Sequence, residues 1–513
     1  MGSTRLPKGG AWKDVAGGSV TNACAVAVGG AILLLSELAS ANGRFPASNQ
    51  IVFSPTDRNV VVARTTYGIL PSRDNGATWS FLCEDALGLP SSAYQDPEIG
   101  LTSDNALVAG TQYPAVGLDV SVDMGCSWSC LAGAVANQSI ADVVVRRDLP
   151  HTVLALASTV LAADAGGGYL SQVFQSSDDG AHWTALGVPL DPSALVQTID
   201  VANGDTQRIY VSGTRDFGPN RKASLFVSTD GAAHWTERPL TAFDATTEDG
   251  IFIGAVDPTV ADRVYLRSSA LGAYDPSTGV ETSGGQSRLF VTADAGQSFQ
   301  TIGPFGLIPP NNATGGGILG FALSPDGSKI YAGTKAAGLF VATRADMMFR
   351  STSSIHVQCL ATRGAELWAC SDAVSGFIVG VSTDDGTTFA AKMTTITSLA
   401  GPVACGADAA GGLACGATVA GSQCAEPFDA FCKSFAPNGV CSTDADGGDR
   451  ATAHQPQPKH SSSGCSAAGG SPRAGFAIVS ALAAMAACRA RRISRAPRRT
   501  KKSGSMNRTL GTR

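Results

Sequence analysis

Between residues 45 and 400, apolar positions fall in short runs broken by a few polar or glycine residues. "IVFSPTDRNVVVART" (51–65), "IFIGAVDPTVADRVYLRSS" (251–269) and "LGFALSPDGSKIYAGTK" (319–335) each read as strand, tight turn, strand. A third strand such as "SLFVSTD" (224–230) follows, then a polar corner and a fourth strand such as "HWTERPL" (234–240). The corner is spelled almost the same way six times: "SRDNGATW" (72–79), "SVDMGCSW" (121–128), "SSDDGAHW" (176–183), "STDGAAHW" (228–235), "TADAGQSF" (292–299) and "STDDGTTF" (382–389).

Aligned on their acid, the corners place Asp74, Asp123, Asp178, Asp230, Asp294 and Asp384 in register. Gly76, Gly125, Gly180, Gly296 and Gly386 stand two residues later, while the fourth copy has Ala232 there, after Gly231. Trp79, Trp128, Trp183, Trp235, Phe299 and Phe389 stand five residues after the acid. A worn seventh copy, "FVATRADMMF" (340–349), puts Arg344 at the acid position and Phe349 at the aromatic one. Seven units of roughly fifty residues, each of four antiparallel strands, predict an all-β seven-bladed propeller.

The corner has a mechanical purpose. The carboxylate accepts hydrogen bonds from its own turn, and the Ser or Thr two residues earlier adds another. Glycine takes a positive φ without a Cβ clash, and the aromatic ring buries between sheets. These residues resemble the Asp-box, or BNR, repeat of sialidases, sortilin-type receptors and other seven-bladed propellers, over about residues 45–400. Calcium, which wants six to eight converging oxygens, is poorly served by one carboxylate per corner, so the boxes read as scaffold.

Strand parity divides the ring into two faces. Boxes and the short first-to-second turns emerge on one. The long segments 83–99, 214–224, 237–250, 268–287 and 303–317 emerge on the other, where binding is expected. Asp96, Arg215, Asp216, Asp244, Tyr274 and Asp275 are the candidate ligand contacts there. The sialidase resemblance implies an arginine triad, a Tyr–Glu nucleophile and an Asp acid. "GRFP" (43–46) sits near the place of the first arginine motif but has Phe where the family has Ile, and no second or third arginine can be assigned. No catalytic residue is assigned. The expectation is an extracellular binding module for a glycan, peptide or protein; the alternative is a glycoside hydrolase using acids of the same face.

Composition sharpens this picture. Hydrophobic residues make up 44% of the chain and charged residues 15%, with 60 glycines. The formal charge of −5 conceals a basic tail, with ten Lys/Arg and no acid from Arg489 to Arg513. Residues 42–488 hold 24 basic and 40 acidic side chains, which disfavours nucleic acid as a partner. No Gly-x-Ser-x-Gly elbow, P-loop or His-Glu-x-x-His occurs, and six scattered histidines suggest no metal cluster or cofactor. His182 and His234, each just before a box tryptophan, read as turn residues.

Both ends look like addresses. "ACAVAVGGAILLL" (23–35), followed by "ASA" (39–41), reads as a signal peptide over 1–41 cut after Ala41. Near the other end, "GCSAAGGSPRAGFAIVSALAAMAACRARR" (464–492) joins Gly-Cys-Ser, an apolar run and an arginine cluster. Together these resemble the MYXO-CTERM sorting signal of myxobacterial surface proteins, with Cys465 at the processing point. The resemblance implies export machinery as a partner, a short transmembrane helix within 465–492, a basic cytoplasmic tail over 493–513, and display at a Gram-negative cell envelope. Residues 442–464, poor in apolar side chains, read as a flexible linker.

Ten cysteines remain once Cys24, Cys465 and Cys488 are set aside, an even number suited to disulfides. Cys359 and Cys370 flank a short turn on adjacent strands and are expected to bridge. Cys83, Cys126 and Cys130 lie on the first two blades, and five more crowd 401–441. One of the first three is expected to join that segment, which forms either a stapled module or a clasp across the end of the ring.

Overall fold

The computed structural model forms each of the seven units into its own antiparallel sheet. It describes residues 48–87, 96–112, 117–131, 133–162, 167–216, 218–270, 273–275, 280–282, 285, 287–303, 317–405, 424–436 and 441. The expected signal peptide with Ala41, the linker, and the C-terminal segment with Cys465 lie outside these residues. Among the described residues no helix is long and apolar enough to cross a membrane.

Blade 1 contains β1 (Ser48–Phe53), β2 (Val61–Thr65) and β3 (Gly68–Ser72), with Leu82 bridging to Ile69 in place of a full fourth strand. Blade 2 contains β4 (Glu98–Leu101), β5 (Leu107–Gly110), β6 (Leu118–Ser121) and β7 (Ser129–Cys130). Blade 3 contains β8 (Ile140–Val145), β9 (Val153–Val160), β10 (Tyr169–Ser176) and β11 (Thr184–Leu186). Blade 4 contains β12 (Ala194–Val201), β13 (Ile209–Arg215), β14 (Lys222–Ser228) and β15 (Thr236–Pro239).

In blade 5, β16 (Glu248–Val256) and β17 (Val264–Ala270) are followed by an inserted hairpin, β18 (Ala273–Asp275) with β19 (Val280–Thr282). The blade then resumes with β20 (Leu289–Thr292) and β21 (Gln300–Ile302). Blade 6 contains β22 (Ile318–Leu323), β23 (Lys329–Thr334), β24 (Gly338–Thr343) and β25 (Arg350–Ser353). Blade 7 contains β26 (Cys359–Arg363), β27 (Glu366–Cys370), β28 (Val379–Ser382) and β29 (Ala390–Met393). Strands pair in chain order within each sheet, and the first strands of successive blades lie side by side around the ring, β26 against β1 included. This is a seven-bladed β-propeller.

The boxes show how neighbouring blades lock. In the first copy, Thr78 donates its N–H to Asp74 Oδ1 (2.8 Å) and its hydroxyl to Oδ2 (2.6 Å). The Ser72 hydroxyl donates to Asp74 Oδ1 (2.8 Å) and accepts the Gly76 N–H (2.8 Å). The other five good copies repeat this pattern. His182 and His234 occupy the position of Thr78 and bring Nδ1 to 2.6 Å from their box aspartates, as turn residues.

Glycine is needed at the second position after the acid for more than its positive φ. A Cβ on Gly76 would meet Trp368 of blade 7, one on Gly180 would meet Val108 and Val120 of blade 2, and one on Gly386 would meet Leu339 of blade 6. Each box therefore seats against the preceding blade. The fourth copy manages with Ala232 at φ 68°, after Gly231 at φ 67°. In the worn copy Asp346 takes over the capping and accepts the Met348 N–H (3.0 Å). Arg344 instead reaches back to Thr259 of blade 5 (2.7 Å).

The core lies in wedges between the blades, built from Val, Ile, Leu and Phe of facing strands. The largest wedge joins blades 7, 1 and 2 to the Cys-rich segment. After β29 the chain runs beside blade 1, where Phe81 donates its N–H to Gly401 (2.7 Å) and accepts that of Val403 (3.0 Å). Trp79 Nε1 donates to the Lys392 carbonyl (3.0 Å), and Arg58 pairs with Glu366, so ring closure is polar as well as apolar.

The Cys359–Cys370 disulfide forms as expected. The expectation of a single link from the first blades is corrected, since Cys83 bonds Cys424 and Cys126 bonds Cys405. A further bridge joins Cys432 to Cys441. The segment is a clasp. It carries an unexpected helix, α1 (Ala425–Phe435), whose Phe431 stacks on Tyr67 at 4.7 Å between ring centroids. Its apolar residues Phe428, Phe431, Cys432 and Phe435 keep helical spacing, a signal hidden within the cysteine pattern.

Candidate functional site at the long-loop mouth of the ring

All seven boxes, the worn copy included, connect third to fourth strands, as parity requires, so the long connections share the opposite face. The axis at that face is lined by first strands, and several carry a charge inside an otherwise apolar run. Glu98 opens β4 and Asp142 interrupts β8, while Asp200, last but one in β12 and paired with Tyr210 at the start of β13, lies closer to the box face. Arg64 and Arg267 are each the fourth residue of a second strand, β2 and β17, and so stand at the same level.

Arg64, Glu98, Asp142 and Arg267 act on one another from four blades. Arg64 Nη1 lies 2.7 Å from Glu98 Oε1. The Arg267 guanidinium is pulled down to about 10 by burial, against which the charges of Glu98 and Asp142 act. It donates to the Ile318 carbonyl (2.9 Å) and stands over the Phe252 ring at 5.0 Å. Burial first, then the Glu98 charge, pushes the Asp142 carboxyl well above the usual range. Its oxygens accept the N–H groups of Ile199 (2.9 Å) and Val143 (2.8 Å), which stitches blade 3 to blade 4. Asp200 repeats the stitch to Val256 of blade 5 (2.8 Å).

Asp96, just before β4, accepts from Asn49 Nδ2 (3.0 Å) and so borders this cluster. Three buried polar atoms beside it, Asn49 Oδ1, Gln50 Oε1 and Arg64 Nε, have no hydrogen-bond partner among the described residues.

The other candidates gather on the rim of blades 4 and 5. Arg215 is held bidentately by Glu237 (2.8 and 2.6 Å) and also by Asp191 (2.9 Å), so its guanidinium is largely occupied within the rim. Asp216, at φ 59°, lies 3.5 Å from Lys222 and lines a cavity of about 770 Å³ with Pro219, Asn220, Arg221 and Lys222. Asp244 caps Thr246 (2.6 Å to the hydroxyl), which holds its carboxyl below the ordinary range. Its own N–H donates to Glu248 (2.7 Å), a buried acid that accepts from Arg288 Nε (2.9 Å). Tyr274 and Asp275 are in β18, paired with Glu281 and Val280.

The structure thus divides the candidates between a channel mouth, marked by Asp96, and a charged rim. Glu98, Arg64, Asp142 and Arg267 were not among them. Their signal was a lone charge within strands such as "PEIGL", "ADVVV" and "VYLRSSA".

No established protein family and no curated protein matches the sequence. Solved structures do resemble the fold. An ancestral GH74 enzyme aligns with a TM-score of 0.47 at 14% identity, over 69% of this chain and 47% of its own, so the chain spans about half of that protein. YCF48 bound to D1 peptide gives 0.39 at 12%, over 63% and 88%. A GH93 α-L-arabinofuranosidase of Fusarium graminearum complexed with arabinobiose gives 0.35 at 14%, over 54% and 87%. Glycoside hydrolases and a peptide-bound propeller therefore both stand among the similar folds.

Proposed function

We propose that this chain is an exported, surface-displayed propeller that binds an extracellular ligand, a glycan in the first instance, at the long-loop mouth of its ring. The observation that carries this reading is the meeting of Arg64, Glu98, Asp142 and Arg267 from four blades beside three unpartnered buried polar atoms. Buried donors and acceptors without partners cost free energy unless water or a ligand satisfies them. A polyhydroxylated molecule offers both kinds of group. The two acids balance the two arginines here, so no excess of positive charge is offered to an acidic sugar and a neutral one is favoured. The disulfides suit an oxidising compartment, and display at a cell envelope is part of the same proposal.

A hydrolytic reading draws on one feature, the raised Asp142 carboxyl beside Glu98, a pairing that could keep one acid protonated near an ionised one. Its hydrogen bonds to two backbone N–H groups favour a structural role instead. A glycan array run alongside a panel of fluorogenic glycosides separates the two. Binding without turnover is expected; turnover abolished by Asp142→Asn would establish the hydrolase.

A further inference from the structure

On the box face, away from the channel mouth, three turns converge between blades 2 and 3. His151, in the β8–β9 turn, brings Nδ1 to 2.7 Å from Asp179 Oδ2 of the third box and 2.8 Å from Ser103 Oγ. Asp104, in the β4–β5 turn, completes a trio whose ligating atoms all lie within 4.8 Å of one another. Asp104 and His151 are exposed and Asp179 is half-buried. Both ring contacts use the same nitrogen of His151, so Ser103–His151–Asp179 is not a nucleophile–base–acid relay, which needs one partner on each.

The repeat supplies an internal comparison. In blade 3 the Asp179 N–H donates to the His151 carbonyl (3.0 Å). The same backbone tie joins Asn75 to Asn59, Gly231 to Gln207 and Ala295 to Asp262 in other blades. Gly231 and Ala295 make it with no functional side chain, so the scaffold does not require a carboxylate or an imidazole there. Blade 3 adds both, and blade 2 contributes Asp104, whose carboxylate has no hydrogen-bond or ion-pair partner among the described residues. The Ser103 N–H donates to the Pro150 carbonyl (3.1 Å), which fixes the two turns against each other.

We propose that Asp104, His151 and Asp179 form a binding site for a divalent transition-metal ion, Zn²⁺ best among the common ones. One imidazole nitrogen and two carboxylates match its N/O preference, and the two acids balance its charge. Bond lengths near 2.0–2.2 Å put ligand atoms of a tetrahedral ion about 3.4 Å apart. Small rotations of the exposed Asp104 and His151 side chains toward Asp179 reach that spacing, and water takes the remaining position.

The test is a calorimetric titration of the untagged full chain with ZnCl₂, repeated with CoCl₂ to read the visible absorption of the bound ion. One saturable ion per chain is expected, weakened at least tenfold by His151→Gln and at least threefold by Asp104→Asn. His182→Gln, which removes a box histidine lacking a third ligand, should leave the titration unchanged. Asp104→Asn alters an exposed turn side chain and keeps the test valid should His151→Gln misfold. The site is overturned by no saturable binding, by binding indifferent to Asp104→Asn, or by loss in His182→Gln.

Discussion

At the scale of single residues, each box asks for a particular backbone and a particular emptiness. Gly386 sits at φ 81°, and a Cβ there would come within 2.1 Å of Leu339 Cδ2, whereas Gly364, at φ 58°, faces open space. Gly386→Ala should therefore cost about 3 kcal/mol, from left-handed strain plus overpacking, against about 1 kcal/mol for Gly364→Ala. Urea denaturation of the two variants checks the ratio. The box acids also set a pH signature. The Thr388 N–H and hydroxyl hold Asp384 at about 2, and the His234 side chain does the same for Asp230. A carboxyl depressed in the fold stabilises it above its unfolded value near 3.8, and that contribution disappears as pH falls to about 2. Melting temperature should hold from neutral pH to about 4, then drop, less steeply in Asp384→Asn. Asp119 has the opposite sign, since burial lifts it to about 7. It disfavours the fold once ionised, so Asp119→Asn should be more stable than the parent at pH 8 by up to about 4 kcal/mol and lose most of that advantage near pH 4. The box roles were legible because six copies vary around fixed positions. The channel charges were not, because a lone Glu or Arg in a strand does not reveal which neighbour it will face.

At the scale of elements, the clasp decides how firmly the first and last blades hold together. Cys83–Cys424 spans 341 residues and Cys126–Cys405 spans 279, far more than the 11 of Cys359–Cys370. Either long bridge shortens the loop that the other must close, so the chain-entropy gain of one is reduced while its partner is intact. Replacing one pair by serines should cost about 2–4 kcal/mol, and replacing both should cost more than the sum. Calorimetry of the two single-pair variants and the combined one measures this non-additivity. Strand order, blade count and the Cys359–Cys370 bridge could all be read from local pattern. Helix α1, the β18–β19 hairpin and the two long bridges could not. The long bridges and the seating of α1, as in Phe431 against Tyr67, depend on contacts hundreds of residues apart that no window of sequence contains, whereas the hairpin is a local pairing set inside a segment without strand pattern.

At the scale of the whole molecule, the repeat gives the ring two unlike faces. One is tied turn to turn, as where Thr56 donates to the Ser103 carbonyl and Ser103 to that of Pro150. The other gathers charge from four blades around the axis and leaves Asn49, Gln50 and Arg64 with unmet hydrogen-bonding capacity. Parity assigned the faces correctly from sequence because it needs only the strand count, and the boxes mark every third-to-fourth turn. The most direct measurement is a glycan array probed with the parent chain, Glu98→Gln at the channel mouth and Asp326→Asn on the box face. A discrete set of neutral oligosaccharides bound by the parent and by Asp326→Asn, but lost from Glu98→Gln, is the predicted result. Binding that survives Glu98→Gln and vanishes in Asp326→Asn would place recognition on the wrong side of the ring and contradict the account.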